Sequence, residues 1–253
     1  MNLFDLSGKT AVVIGGSGVL GSAIAEGLAG HGANVAIVGR DGEKAQRVVT
    51  TLENNGAVAR AFLVDVLNRD SIESMAQSVI DWRHQVDILV NCAGVNSKTP
   101  FFEVSDDEWD HILSVNAKSI FVASQVFGRY MLERGSGSII NISSVSSGPP
   151  LSGVFAYSAS KAALNSMTQY LAREFAPHVR VNAIIPGFFP AEQNRKILSE
   201  KRVEDILRHT PMARLGEAKE LQGAAVWLAS DAAAGFVTGS LVTVDGGFTA
   251  MSI

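Results

Sequence analysis

Cysteine is nearly missing from this chain: Cys92 stands alone among 253 residues. That excludes an intramolecular disulfide framework and any zinc or iron–sulfur site built from several thiolates, and it permits a reducing compartment. Charge is sparse too. Only 18% of residues are charged, the formal net charge is −4, and the lysines and arginines are scattered, so no electrostatic footprint for nucleic acid is present. No apolar run approaches the roughly 20 residues that span a bilayer. The stretch Met1 to Lys9 carries Asp5 and lacks the basic start and apolar core of a secretory signal. His31, His84, His111, His178 and His209 show no ligand spacing, so no metal site is expected. These absences point to a cytoplasmic protein that works on a small molecule, with neither membrane nor nucleic acid as partner.

What is abundant is β-branched apolar sequence in short runs. Thr10–Ile14, Asn34–Val38, Val58–Val64, Val86–Val90, Ser138–Ile142, Val179–Ile185 and Leu241–Val244 read as strands. Most are continuous rather than alternating, the pattern of strands covered on both faces of a parallel sheet. Helical periodicity fills the intervals, at Val19–Gly30, Glu43–Asn54, Ser71–Arg83, Phe155–Ala176 and Glu217–Ala229. Strand and helix alternate, which predicts an α/β fold of the Rossmann type: a single doubly wound domain over residues 1–253, with about seven parallel strands flanked by helices. The rhythm breaks between Phe188 and Thr210, a charged interval after a strand end that is read as a candidate substrate lid.

The first strand runs into Gly15-Gly-Ser-Gly-Val-Leu-Gly21 and then a helix. Glycines let a backbone approach a pyrophosphate closely, and the amides of a helix start supply donors and a positive dipole end. Gly15, Ser17, Gly18, Val19, Leu20 and Gly21 are therefore candidate dinucleotide contacts. After the second strand, Arg40 precedes Asp41. A 2′-phosphate needs positive charge, whereas a free 2′-hydroxyl is usually held by an acid at this point. Arg40 tilts the expectation to NADP over NAD.

Tyr157 and Lys161 open a long predicted helix. Residues four apart share one helix face, so the ammonium can stand near the phenol and is expected to lower its pKa. Tyr157 can then exchange a proton with an alcohol or carbonyl while hydride passes to or from a nicotinamide. Ser143 and Ser144 end the fifth strand at the carboxyl edge, where a hydroxyl can steady charge on the reacting oxygen.

With these motifs in order, the chain resembles the short-chain dehydrogenase/reductase family over essentially its whole length. The resemblance rests on the glycine turn, Asp65-Val66, Asn91-Cys-Ala-Gly94, Asn116, Ser144, Tyr157 with Lys161, Pro186-Gly187 and Asp245-Gly-Gly247. It implies Tyr157 as catalytic acid/base and Lys161 as the group that lowers its pKa and holds the nicotinamide ribose. Ser144, thirteen residues before Tyr157, would orient the substrate oxygen, and Asn116 would support a proton relay through Lys161. Asp65 and Val66 would border the adenine. Asn91, Ala93 and Gly94 would line the cofactor cleft, and Pro186 and Gly187 would flank the nicotinamide. Asp245 is read as a turn residue, and Cys92 as a packed, unreactive thiol.

Within the family, Pro186 to Arg195 followed by His209-Thr-Pro-Met212 resembles the sugar-acid branch, the D-mannonate (fructuronate) oxidoreductase-like and gluconate dehydrogenase-like members. Asn96, Phe189, Gln193 and Arg195 join Ser144 as candidate substrate contacts, since amides can meet hydroxyls and a guanidinium can grip a carboxylate. The activity this implies is an NAD(P)-dependent interconversion of a secondary alcohol and a ketone on a sugar acid or polyol. A 3-oxoacyl-thioester reductase shares the same constellation, and a non-catalytic dinucleotide sensor is a further alternative. By resemblance the long helices Asp106–Arg134 and Phe155–Ala176 would form one subunit interface of a homotetramer and the Asp245–Ile253 tail a second.

Overall fold

The computed structural model describes residues 2–190 and 199–251. Seven strands make one parallel sheet: β1 (Thr10–Ile14), β2 (Asn34–Gly39), β3 (Ala59–Leu63), β4 (Ile88–Asn91), β5 (Gly137–Ile142), β6 (Val179–Pro186) and β7 (Leu241–Val244). Their spatial order is β3-β2-β1-β4-β5-β6-β7. The helices are α1 (Val19–Gly30), α2 (Gly42–Asn54), α3 (Arg69–Arg83), α4 (Asp106–Leu113), α5 (Ser119–Arg134), α6 (Phe155–Glu174), α7 (Glu200–His209), α8 (Gln222–Ala229) and the short α9 (Asp231–Ala234).

The continuous apolar runs are explained by the two layers of helix. Side chains of a strand alternate between faces. Ala11 and Val13 of β1, with Val35 and Ile37 of β2, pack against Ile24, Ala25 and Leu28 of α1 and Val226 of α8. Their neighbours Val12, Ile14, Ala36 and Val38 pack on the opposite face against Met75 and Val79 of α3 and Phe127 and Met131 of α5. Both sets are buried, so no strand position in β1 or β2 is free to be polar for solvent's sake.

One expected helix is not continuous. The stretch Asp106–Arg134 is interrupted by a π-helical turn at Ser114–Lys118, which separates α4 from α5. Such turns are costly and cluster where function uses the displaced residue; Asn116 is at the centre of this one.

The chain reverses its direction of travel across the sheet between β1 and β4. Strands β2 and β3 lie on one side and β5 to β7 on the other. A crevice opens outside the carboxyl ends at such a switch point, and there the sequence motifs converge. Among the described residues, no helix is long and apolar enough to cross a membrane.

Candidate active site

At the exit of β1, Gly15 has φ +83°, and a Cβ there would lie 2.6 Å from the Ala93 amide nitrogen beyond β4. A Cβ on Gly21 would collide with the Gly15 carbonyl oxygen. Left-handed backbone and close approach both demand glycine here. The turn delivers the chain to α1, whose N-cap, Gly18, provides no side-chain cap. The first-turn amides are thus left for a ligand, and the dipole end favours an anion. Gly15, Ser17, Gly18, Val19, Leu20 and Gly21 line one cleft of about 1110 Å³, large for a ligand site and matched to an extended ligand such as a dinucleotide.

At the end of β2, Asp41 is the N-cap of α2: its carboxylate accepts the Lys44 amide hydrogen at 3.0 Å. The acid beside the cleft is therefore engaged by its own helix, and the cations Arg40 and Lys44 line the wall next to it. Arg40 makes no ion pair or side-chain hydrogen bond with another described residue. Asp65 and Val66 form the adjoining wall, with Asp65 accepting the Leu67 amide at 3.0 Å.

The opposite end of the cleft holds the polar centre. Tyr157 sits in the first turn of α6 and lines the cleft together with Ser144. Lys161, one turn later and 4% exposed, donates to the Ile142 carbonyl at 2.8 Å and lies 5.7 Å from the Tyr157 ring centre. Ser144 caps a short turn over Val145–Ser147, its Oγ accepting the Ser146 amide at 3.2 Å. Ser143 points elsewhere, donating to Asn165 Oδ1 at 2.6 Å. Ser144, not Ser143, is the serine whose side chain acts on the Tyr157 phenol.

A family model described as enoyl-(acyl carrier protein) reductase matches residues 16–249. The oxidoreductase UxuB of Bacillus subtilis is 42% identical, covering 98% of this chain and 97% of the relative. The 2-dehydro-3-deoxy-D-gluconate 5-dehydrogenase of the same species is 39% identical over 97% of this chain and 96% of its own. A gluconate 5-dehydrogenase from Burkholderia cenocepacia, solved in complex with NADP and tartrate, superposes with a TM-score of 0.95 at 32% identity, covering 99% of each chain. The chain belongs to the short-chain dehydrogenase/reductase family. It is an NAD(P)-dependent oxidoreductase.

Against the family pattern, most of the expected residues meet in the cleft and some do not. Ala93, Gly94, Asn96, Pro186 and Gly187 line it with Ser144, Tyr157 and Lys161. Asn91 is not in the wall. It is 2% exposed and its Nδ2 donates to Asn141 Oδ1 at 2.9 Å, because the register of β4 on β5 sets the two asparagines side by side. The Asn91 side chain serves the sheet, and the cleft wall at this point is formed by the next residues, Cys92, Ala93 and Gly94. Asn116 is fully buried behind the wall. Its Oδ1 accepts the Val95 amide at 2.8 Å, and its Nδ2 donates to the Val95 carbonyl at 2.9 Å and to Ser160 Oγ at 3.0 Å. The π turn aims this amide at the chain behind Gly94, and the side chain makes no bond to Lys161. Phe189 borders the cleft but is 3% exposed, its ring set against Gly216, where a Cβ would have no room. Gln193 and Arg195 lie outside the described residues.

The electrostatics differ from the simple sequence argument. Burial pushes the Tyr157 phenol above its ordinary value, and the Ser144 hydrogen bond opposes that rise. Burial pushes Lys161 down to about 8. The lysine ammonium is turned to the Ile142 carbonyl and is itself disfavoured by burial, so burial and the Ser144 hydroxyl are the leading influences on the phenol. The Cys92 thiol, which lines the cleft, is pushed up to about 11 by burial, with Lys161 opposing. It is a poor nucleophile, as its place in the sequence suggested.

Residues that the motifs did not single out complete the wall: Lys44 near Arg40, and Lys98, Ser152, Lys201 and Arg202 at the substrate end. Arg202 donates to Ser152 Oγ at 3.0 Å and to the Ser152 carbonyl at 3.4 Å, fastening α7 over the loop before Tyr157. In the sequence Lys98 reads as a polar candidate after the fourth strand and Lys201 and Arg202 as charges of the lid segment, whereas Lys44 and Ser152 carry no signal.

Proposed function

We propose that the protein interconverts a secondary alcohol and a ketone on a sugar acid of the gluconate type, with NADP as its coenzyme. The observation that carries this reading is the grouping of Ser144, Tyr157 and the buried Lys161 at one end of a dinucleotide-sized cleft. In alcohol oxidation Tyr157 takes the hydroxyl proton, and Ser144 Oγ hydrogen-bonds the same oxygen as its charge changes. Lys161, when charged, stabilises the phenolate and holds the nicotinamide ribose. When bound, the nicotinamide supplies or receives the hydride. Asn116 is a positioning residue: by clasping Val95 and Ser160 it holds the post-β4 loop on α6.

The glycine turn would take the pyrophosphate, Asp65 and Val66 the adenine edge, Arg40 with Lys44 the 2′-phosphate, and Pro186 with Gly187 the nicotinamide face. The NADP complex of the Burkholderia relative supports that choice of coenzyme. At the other end, residues 188–210 would act as a lid. Arg202 uses two N–H groups on Ser152, and a guanidinium has five, so donors remain for a carboxylate beside Lys98 and Lys201. Asn96, with Gln193 and Arg195 of the lid, would meet substrate hydroxyls and carboxylate, and Phe189 would form the floor. Assembly as a homotetramer is supported by the exposed rings of Phe101, Phe102, Phe121 and Phe155. A light-scattering mass of a stable monomer would contradict it.

The test is a coupled assay of the purified protein with NADP(H) and NAD(H) over aldonates, keto-acids and polyols. Turnover of an aldonate–ketoaldonate pair with NADP is expected. Tyr157→Phe should lower kcat by about 10²- to 10⁴-fold while coenzyme binding stays within about twofold. Near-normal turnover in that variant would sink the assignment.

A further inference from the structure

Tyr157, Lys161 and Asn165 recur every four residues along α6 and so share one face. The first two line the cleft; Asn165 does not. Its amide is nonetheless fully committed at the site's edge. Asn165 Oδ1 accepts the Ser143 hydroxyl at 2.6 Å, and Nδ2 donates to Ser147 Oγ at 2.8 Å. The Ser147 hydroxyl passes its own proton on, donating to the Ser144 carbonyl at 2.5 Å. One side chain thus grips the residues on both flanks of Ser144, and it does so from the helix that carries Tyr157.

The direction of each bond is fixed by chemistry rather than by a choice of rotamer. The single Ser147 hydroxyl proton goes to the Ser144 carbonyl, so Ser147 must accept from Asn165 Nδ2, which leaves Oδ1 to accept from Ser143. An amide at position 165 is the group that can accept from Ser143 and donate to Ser147 at once. A carboxylate could only accept, and an apolar side chain could do neither.

We propose that Asn165 is a positioning residue that sets the Ser144 hydroxyl on the Tyr157 phenol and thereby tunes the proton affinity of the tyrosine. This rests on the reading that Tyr157 exchanges the proton. The Ser144 hydrogen bond is what opposes the burial-driven rise at Tyr157, so loosening the 143–147 loop lets the phenol become a weaker acid. Neither Asn165 nor Ser147 belongs to the cleft wall, so their loss should leave coenzyme binding alone.

The experiment compares Asn165→Leu, Asn165→Asp and Ser147→Ala with the unaltered protein. It measures kcat, KM, coenzyme affinity and the pH profile of alcohol oxidation. A hydrogen bond to an ionising group controls rate by roughly tenfold or more when lost, so Asn165→Leu should lower kcat about tenfold. Its rising pH limb should move to higher pH by about half a unit or more, with coenzyme affinity within about twofold. Asn165→Asp, which keeps the Ser143 arm, should fall between. Ser147→Ala leaves α6 intact and should move the profile in the same direction even if Asn165→Leu fails to fold. In a Ser144→Ala background, Asn165→Leu should add little further loss, because it acts through that serine. An unchanged kcat and pH profile in Asn165→Leu and Ser147→Ala overturns the proposal, as does a loss confined to thermal stability. A Tyr157→Phe variant that still turns over overturns the proton-exchange reading itself; an inactive Tyr157→Phe beside a normal Asn165→Leu overturns only the role of Asn165.

Discussion

Replacing Asn91 with alanine separates two roles that the motif Asn91-Cys-Ala-Gly94 leaves entangled, coenzyme contact and internal bracing. Asn91 Nδ2 donates to Asn141 Oδ1 at 2.9 Å, Asn141 Nδ2 donates to Thr168 Oγ1 at 2.9 Å, and Thr168 donates to the Leu164 carbonyl at 2.8 Å. The chain of bonds ties β4 to β5 and β5 to α6 in the interior: Asn141 and Thr168 are wholly buried. Alanine at 91 leaves Asn141 Oδ1 without a donor, which costs about 1–3 kcal/mol. A central value of about 2 kcal/mol corresponds to a fall in Tm of roughly 4–8 °C for a chain of this size. Coenzyme affinity should change less than about twofold, since Asn91 is absent from the cleft wall. Thr168→Val removes the other end of the same chain at nearly constant volume, and its loss combined with that of Asn91→Ala should be less than additive because the network is already broken. Calorimetry for Tm and a fluorescence titration with NADPH read the two roles independently. An unchanged Tm with affinity weakened tenfold would show that the side chain serves the coenzyme and that the bracing argument is wrong.

Two further outcomes follow from the charged groups. Arg40→Ala should weaken NADPH about tenfold, the lower end for a charge-assisted contact because the site is exposed and screened, and should leave NADH within about twofold; equal losses for both would remove the 2′-phosphate from the account. Burial lowers Lys161 from its ordinary value of 10.5 to about 8. Holding it charged therefore destabilises the coenzyme-free fold fully below about pH 8, and this penalty fades as pH rises from there towards 10.5. Lys161→Met should accordingly raise Tm relative to the unaltered protein at about pH 7 and lose that advantage by about pH 10, while turnover disappears; an advantage independent of pH would refute the sign.

The sheet was legible because a strand covered on both faces has no polar alternation to confuse it, as in Thr10–Ile14 and Val179–Pro186. The break in the Asp106–Arg134 helix was not, because Ser-Val-Asn-Ala-Lys carries no helix-breaking residue and the π turn at Ser114–Lys118 accompanies a tertiary demand, the clasp of Asn116 on Val95 and Ser160. The coenzyme end was partly legible: Asp41 stands three residues before Lys44, an N-cap position that engages one of its oxygens, and Arg40 beside it is the cation proposed for the 2′-phosphate. The two motif asparagines show where residue type stops informing. Asn91 and Asn116 are both buried amides in expected positions, yet neither joins the cleft wall, because a β-sheet register and a π turn each offered a nearer partner. Hydrogen-bond capacity is set by the sequence, but which neighbour fills it is set by the packing of distant elements. That is why an amide eight residues beyond Tyr157 can matter as much as one inside a motif: its spacing is plain in the sequence, while the two serines it joins are brought to it only by the return of β5 beneath α6.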